Sequence, residues 1–280
     1  MIAVALWGLT RSTPYTYESI VRYIYNQLPP HYVFLHTFSS SEPYENGRAG
    51  ERDDKGIKAD YSLLRPYQVE VEDLGDVKRT IDFKAYHTHP DPWNSNYQTV
   101  DNFILAMYSK QKVTEMIRKS GIEFKTVIFI RPDVRFLSSI GPLLQLKRRD
   151  SWIIPSFHLY SGFNDRFCIA SEDNYLQYGC VFSLLLPYSR SKDLHSETFY
   201  ATLARRCNIF VQYTSLAFVF QRVRIDGTTD LRDLLLDKVK GHVSGQNPDP
   251  HNVYLNDRIF RNLSVGKTFA TSFRNRILPV

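Results

Sequence analysis

The sequence predicts an α/β protein with a mainly parallel sheet flanked by helices. Three observations carry this expectation. Apolar, β-branched runs recur at residues 2–7, 32–37 and 125–136. Between them lie segments whose apolar residues repeat at helical spacing. The strongest run, 127–130, is continuously apolar and stops at Arg131-Pro132-Asp133. A strand buried on both faces reads this way, and a proline that cannot donate to the ladder ends it. Strand and helix signals in alternation point to βαβ units.

Each element follows from local pattern. Residues 2–7 form a first strand, and Gly8-Leu9-Thr10-Arg11 is the turn after it. Ser12 or Thr13 caps a helix with Pro14 in its first turn, burying Tyr17, Ile20, Val21, Ile24 and Leu28 and ending at Pro29-Pro30. Residues 32–37 are a second strand. Residues 39–58 are polar, charged and glycine-containing, so they read as a mobile surface loop. Residues 67–71 alternate as a third strand. Val100, Phe103, Ile104, Met107 and Ile117 mark a helix leading into the 126–131 strand. Beyond it, 152–155 is a short strand and 163–170 a polar turn running into an apolar strand. Residues 175–186 and 196–207 read as helices, and 209–220 as apolar and β-rich. Residues 248–280 are polar with little periodicity and are expected to wrap the surface.

Composition narrows the function classes. The chain has 280 residues, 43% hydrophobic and 14% aromatic, enough for a large core and against general disorder. Thirty-five Lys and Arg against 29 Asp and Glu give a net charge of +6, which suits an anionic ligand. The basic residues are dispersed, with no run resembling a nucleic-acid-binding arm. Cys168, Cys180 and Cys207 form no CxxC pair and no disulfide framework, so a reducing, cytoplasmic setting is expected. No apolar run is long enough to span a bilayer.

Four constellations could carry chemistry. Gly8 and Arg11 sit in a turn feeding a helix, where free amides and a guanidinium suit a phosphate, although an ordinary turn with a solvated Arg11 reads equally well. Arg131, Asp133 and Arg135 lie at a strand's carboxyl end, where open α/β sheets bind ligands. Asp133 there either holds a metal ion on a diphosphate or pairs with Arg131. Gly162, Asn164, Asp165 and Arg166 offer a free backbone, donors, acceptors and a base, or simply a surface Asx turn. His87, His89 and Asp91 have the spacing of a metallo-hydrolase site but lie between prolines.

The order of these motifs resembles a group of GT-A-fold glycosyltransferases found in large DNA viruses and bacteria. The first strand with Gly8 and Arg11 is followed by Tyr32 to Phe38, similar to a D-x-F-I-H-T-W strand. Leu64 to Tyr67 and a polar helix around Ser109, Lys110, Gln111 and Lys112 come next. Phe124 to Phe136 resembles Y-D-x-V-I-R-x-R-P-D-x-x-F, Asn164 to Ile169 matches N-D-R-F-x-I, and Ser196 to Leu203 matches S-E followed by a spaced Leu. The likeness covers roughly residues 1 to 210.

The resemblance implies a GT-A-like, Rossmann-type single domain. Residues 1–136 would bind the nucleotide-sugar, 137–247 the acceptor, and 248–280 form a tail. It implies a UDP-sugar donor, with xylose the expected sugar, and a glycan hydroxyl acceptor, as on a viral capsid glycoprotein in the host cytoplasm. Gly8, Arg11, Lys112, Arg131, Asp133 and Arg135 would hold the donor, and Gly162, Asn164 and Arg166 the acceptor. It also implies Mn²⁺ or Mg²⁺, held by Asp133. The family's Asp-x-Asp pair is here Arg131-Pro132-Asp133, so one carboxylate is replaced by a guanidinium, and Arg131, Arg135 and Arg11 are the alternative carriers of the metal's charge. An inverting transfer needs a base, for which Asp165 is the first candidate and Glu197 the second. The rivals are a hydrolase using His87, His89 and Asp91 as metal ligands, and a basic nucleic-acid binder.

Overall fold

The computed structural model describes residues 1–47, 50–146, 150–214 and 218–229. A seven-stranded sheet forms its centre. It comprises β1 (Ile2–Trp7), β2 (His31–Ser39), β5 (Gln68–Asp73), β6 (Thr126–Ile130), β8 (Ser151–Ile154), β9 (Phe167–Ser171) and β10 (Phe210–Tyr213). Their spatial order is β10-β8-β9-β6-β1-β2-β5. β1 pairs parallel with β2 and β6, β2 with β5, and β8 with β10, while β9 runs antiparallel to β6 and β8. The expected α/β class with a mainly parallel sheet is therefore the one observed.

Side-chain alternation explains why the sheet is covered on both faces. Ala3, Ala5, Trp7, Val127 and Phe129 enter one core with Phe103, Ile104 and Met107 of α3 (Gln98–Lys119). Val4, Leu6, Ile128 and Ile130 enter a second core with Ile20 of α1 (Thr13–Tyr23). The continuously apolar β6 is buried at all five positions, as a strand between two such layers must be.

Several local expectations are corrected. The 39–58 segment carries an antiparallel pair, β3 (Tyr44–Asn46) with β4 (Glu51–Asp53), because Glu51 is drawn inside by Arg11. α1 ends at Tyr23 and a 3-10 turn covers Tyr25–Gln27 before the prolines. Ser12 precedes α1 but makes no cap bond; its hydroxyl donates to the Val223 carbonyl at 2.8 Å. The single helix expected over 175–186 is two, α5 (Tyr175–Gly179) and α6 (Phe182–Ser189), because the chain leaves helical geometry at Cys180 (ψ 62°) to bury Cys180 and Val181. The 209–220 stretch is β10 and, after an interval, the start of β11 (Phe220–Arg222), which pairs antiparallel with β7 (Val134–Phe136). α2 (Leu74–Thr80), α4 (Gly141–Leu144) and α7 (Ser196–Arg206) complete the described α-helices. Among the described residues, no helix is long and apolar enough to cross a membrane. Residues 248–280 lie outside the described residues.

Two features of topology place the site. β1 and β6 are parallel neighbours, so Gly8 and Arg131 follow adjacent strand ends. β9 is antiparallel to β6 with Ile130 opposite Phe167, so Asp165 and Arg166, which precede β9, arrive at the same edge. The single reversed strand thereby brings the start of one segment beside the end of another.

Candidate active site

Gly8 turns the chain at the end of β1 with φ +96°, a region open to glycine at little cost. Its amide donates to Ser109 Oγ at 2.8 Å, so it is committed to α3. Arg11 is drawn inward, its side chain only 4% exposed. It donates to Glu51 Oε2 at 2.9 Å and to the Tyr44 hydroxyl. Thr16 fixes α1 to the end of β6 by donating to the Pro132 carbonyl at 2.7 Å.

Asp133 is locked on both oxygens. Oδ1 accepts from Arg131 Nε at 2.8 Å; Oδ2 accepts from a second Arg131 nitrogen at 2.6 Å and from Arg222 Nε at 3.0 Å. Burial alone would raise its pKa, but Arg131 and Arg222 hold it well below the usual carboxylate range. Arg222 reaches this point because β11 lies on β7, with Arg222 opposite Val134 and Val223 donating to the Asp133 carbonyl. Arg224 extends toward Glu51 at 3.9 Å. Four guanidiniums thus gather around two buried carboxylates, and Arg11, Arg131, Arg222 and Arg224 all line one cleft of about 740 Å³.

Asp165 and Glu197 line the same cleft. Gly162 brings them together: a Cβ on it would stand 2.0 Å from the Glu197 carbonyl oxygen, and Phe163 donates to that oxygen at 2.9 Å. Only glycine permits this approach of the 162–166 turn to the first turn of α7. Burial first, and then the charge of Asp165, push the Glu197 carboxyl up to about 7. Ser196 Oγ donates to Glu197 Oε2 at 2.7 Å, and His195, stacked on Trp93, lies 3.5 Å from the same oxygen.

Beneath Asp165 lies Lys110, wholly buried. Its ammonium donates to the Tyr200 hydroxyl at 2.8 Å and the Asp165 carbonyl at 3.3 Å. It also sits over the rings of Trp7, Tyr178 and Tyr200 at 4.1, 4.5 and 4.5 Å. Burial pulls its pKa down to about 7, although the charge of Asp165 opposes the shift.

Of the residues singled out from sequence, the fold gathers Gly8, Arg11, Arg131, Asp165, Arg166 and Glu197 along the cleft. Others are placed elsewhere. Arg135 is directed to the Tyr15 carbonyl (3.3 Å), away from the cleft, as the strand alternation of β7 requires. Lys112 is ion-paired with Glu70 at 2.7 Å and Glu72 at 3.6 Å. Asn164 spends its amide on the Phe157 carbonyl and on the Arg166 amide, so it shapes the turn. Gly162 serves close packing. Asp133 serves the arginines: with both oxygens taken and the site crowded with guanidiniums, the residues present do not fit Mn²⁺ or Mg²⁺ there. His87 pairs with Asp101 (2.7 Å) and stacks on Tyr97, while Asp91 accepts from the Trp93, Ser95 and Tyr97 amides, so the proposed hydrolase ligands do not converge. Among the described residues, His36, Glu70 and Glu72 do approach one another closely enough to share an ion, but Lys112 already bridges the two glutamates.

Arg222, Arg224 and Glu51 were missed from sequence, and Lys110, named there only as part of a polar helix, was given no role. Lys110 left a signal: with Phe103, Met107, Thr114 and Ile117 it falls on the buried stripe of α3. Arg222 and Arg224 alternate through Gln221-Arg222-Val223-Arg224, a half-buried strand pattern.

No protein-family model and no curated protein sequence matches the chain. Solved structures overlap it in part. Mouse xyloside xylosyltransferase 1 in its apo form is similar over 77% of this chain and 86% of its own, at 11% identity and a TM-score of 0.41. The galactosyltransferase LgtC, in complex with donor and acceptor sugar analogs, covers 77% of this chain and 73% of its own, at 11% identity and a TM-score of 0.43. The apo glycosyltransferase GlyE of Streptococcus pneumoniae TIGR4 covers 76% of this chain and 44% of its own, at 9% identity and a TM-score of 0.38.

Proposed function

We propose that this protein is an inverting glycosyltransferase that moves a sugar from a UDP-sugar to a glycan hydroxyl. The observation that carries the reading is one cleft, at the carboxyl ends of β1 and β6, in which arginines and a buried carboxylate pair face a common space. The cleft's volume of about 740 Å³ is of the size that takes a nucleotide-sized ligand. The ordered motifs from residue 1 to about 210 support the same class. Their likeness to the chlorovirus transferases that add xylose to capsid-protein glycans makes UDP-xylose the first donor to try and a capsid glycan the first acceptor.

In this mechanism the anomeric C–O bond to the diphosphate breaks as the acceptor oxygen attacks the opposite face. The acceptor's hydroxyl proton passes to Asp165. Glu197 is the better protonated of the pair, because burial and the charge of Asp165 both keep its proton on up to about pH 7. Asp165, the other carboxylate at the cleft, is assigned as the base. The charge that collects on the departing UDP is stabilised by the arginines that line the cleft.

A panel of nucleotide-sugars, followed by product anomer assignment by NMR, tests this. UDP-sugar turnover with an inverted product is expected, and Asp165→Asn should cut transfer by about 10² or more while UDP still binds. A chain that folds yet turns over no nucleotide-sugar overturns the proposal.

A further inference from the structure

We propose that the donor's diphosphate is held by the guanidiniums of Arg11, Arg131, Arg222 and Arg224, which take the place of a divalent cation; the inference rests on the transferase reading. The carboxylates within this cluster are already committed. Asp133 gives both oxygens to Arg131 and Arg222. Glu51 is 4% exposed; its Oε2 accepts from Arg11 at 2.9 Å and its Oε1 from the Ile225 amide at 3.3 Å. A divalent ion brought here would displace those bonds and meet four positive charges.

An anion meets the opposite situation. Arg11, Arg131, Arg222 and Arg224 all line the cleft, so their guanidiniums surround the space a phosphate would occupy. Burial first, and then the like charges of Arg131, Arg11 and Arg166, lower the Arg222 pKa to about 10 despite the help of Asp133. A bound anion beside Arg222 offsets those like charges. Buried donors also point the same way: Arg11 Nε and Trp7 Nε1 have no hydrogen-bond partner among the described residues, and both residues line the cleft. Guanidiniums present planar, forked donors that match phosphate oxygens, and their charge does not depend on a metal supply. Asp133 and Glu51 then act as struts that hold the forks in place before the donor arrives.

Titration calorimetry of UDP into the full chain, once with EDTA and once with Mn²⁺, tests the inference. Affinities equal within about twofold are expected, since no metal enters the bound state. Arg224→Gln should weaken UDP binding by about tenfold or more without metal, for loss of a charged contact to phosphate. Arg11→Lys, which keeps the charge and loses the fork, should fall between it and the parent, and guards against a folding defect in the first variant. UDP binding that needs Mn²⁺ overturns the inference and leaves the transferase reading standing. Binding of neither UDP nor any UDP-sugar in either condition overturns both. Variants with intact thermal transitions and parental UDP affinity overturn the guanidinium assignment alone.

Discussion

With both oxygens of the buried Asp133 held by Arg131 and Arg222, removing that carboxylate leaves two half-buried guanidiniums facing each other. Breaking a buried pair from one side costs about 3–5 kcal/mol. Asp133→Ala should lower stability in urea by that order. Because its folded pKa lies below the unfolded value, Asp133 stabilises above the ordinary carboxylate range and loses that contribution as pH falls. The gap between variant and parent should therefore narrow in acid. Glu197 is shifted the other way, up to about 7, by burial and Asp165. If Asp165 is the base, transfer should decline as pH rises through about 7, when Glu197 becomes a second negative charge beside the leaving group, and Glu197→Gln should hold its rate there. A rate that instead rises through about pH 7 and vanishes in Glu197→Gln would make Glu197 the base. Lys110, lowered to about 7 by burial, releases its proton in the folded chain before the unfolded one does. Its contribution to stability should grow as pH climbs from about 7 toward 10.5. Lys110→Met should flatten that rise in a thermal-denaturation series.

At the scale of elements, the antiparallel β9 and the first turn of α7 must meet for the two carboxylates to act as a pair. The contact passes through Gly162, where any Cβ would stand 2.0 Å from the Glu197 carbonyl oxygen. Gly162→Ala should push the 162–166 turn off α7, reduce kcat more than UDP affinity, and shift the pH limb set by the Asp165–Glu197 coupling; a variant with parental kcat and pH profile would show the contact to be incidental. This juxtaposition was only half legible in the sequence. The apolar run of β6 and its stop at Pro132 are written locally, as are the helical spacing of α1 and α3 and the Asn164-Asp165-Arg166 turn. Strand direction is not: nothing in residues 167–171 distinguishes an antiparallel neighbour of β6 from a parallel one. The arrival of Asp165 beside Arg131 depends on that direction. Likewise the polar 39–58 stretch reads as solvated because its composition is so, and the burial of Glu51 follows only once Arg11 is known to turn inward. Charge partners distant in sequence, such as Arg222 for Asp133, leave no local mark beyond a strand-like alternation.

The arginines and the carboxylate pair of the cleft come from the turn after β1, the end of β6, the turn before β9, the start of α7 and the strand β11. None of these segments supplies them all, and the first and last belong to opposite ends of the described chain. Burial first, and then the neighbouring guanidiniums, disfavour the charge on Arg222 at the point where these segments converge. A ligand that bridges the arginines offsets those like charges and binds the folded chain only, because the unfolded chain has no such convergence. Linkage then gives about 2.7 kcal/mol of added stability at a ligand concentration a hundredfold above Kd. At this chain length each kcal/mol corresponds to roughly 2–4 °C of Tm. UDP at saturating concentration should therefore raise the Tm by several degrees with EDTA present. The rise should shrink as NaCl increases, more gently than for a surface site, since buried charges are screened less. Inorganic sulfate tested at the same ionic strength separates general anion binding from nucleotide recognition. An equal shift from sulfate would reduce the cleft to a nonspecific anion site, and no shift from UDP or any UDP-sugar would overturn the assignment of its arginines to a nucleotide diphosphate.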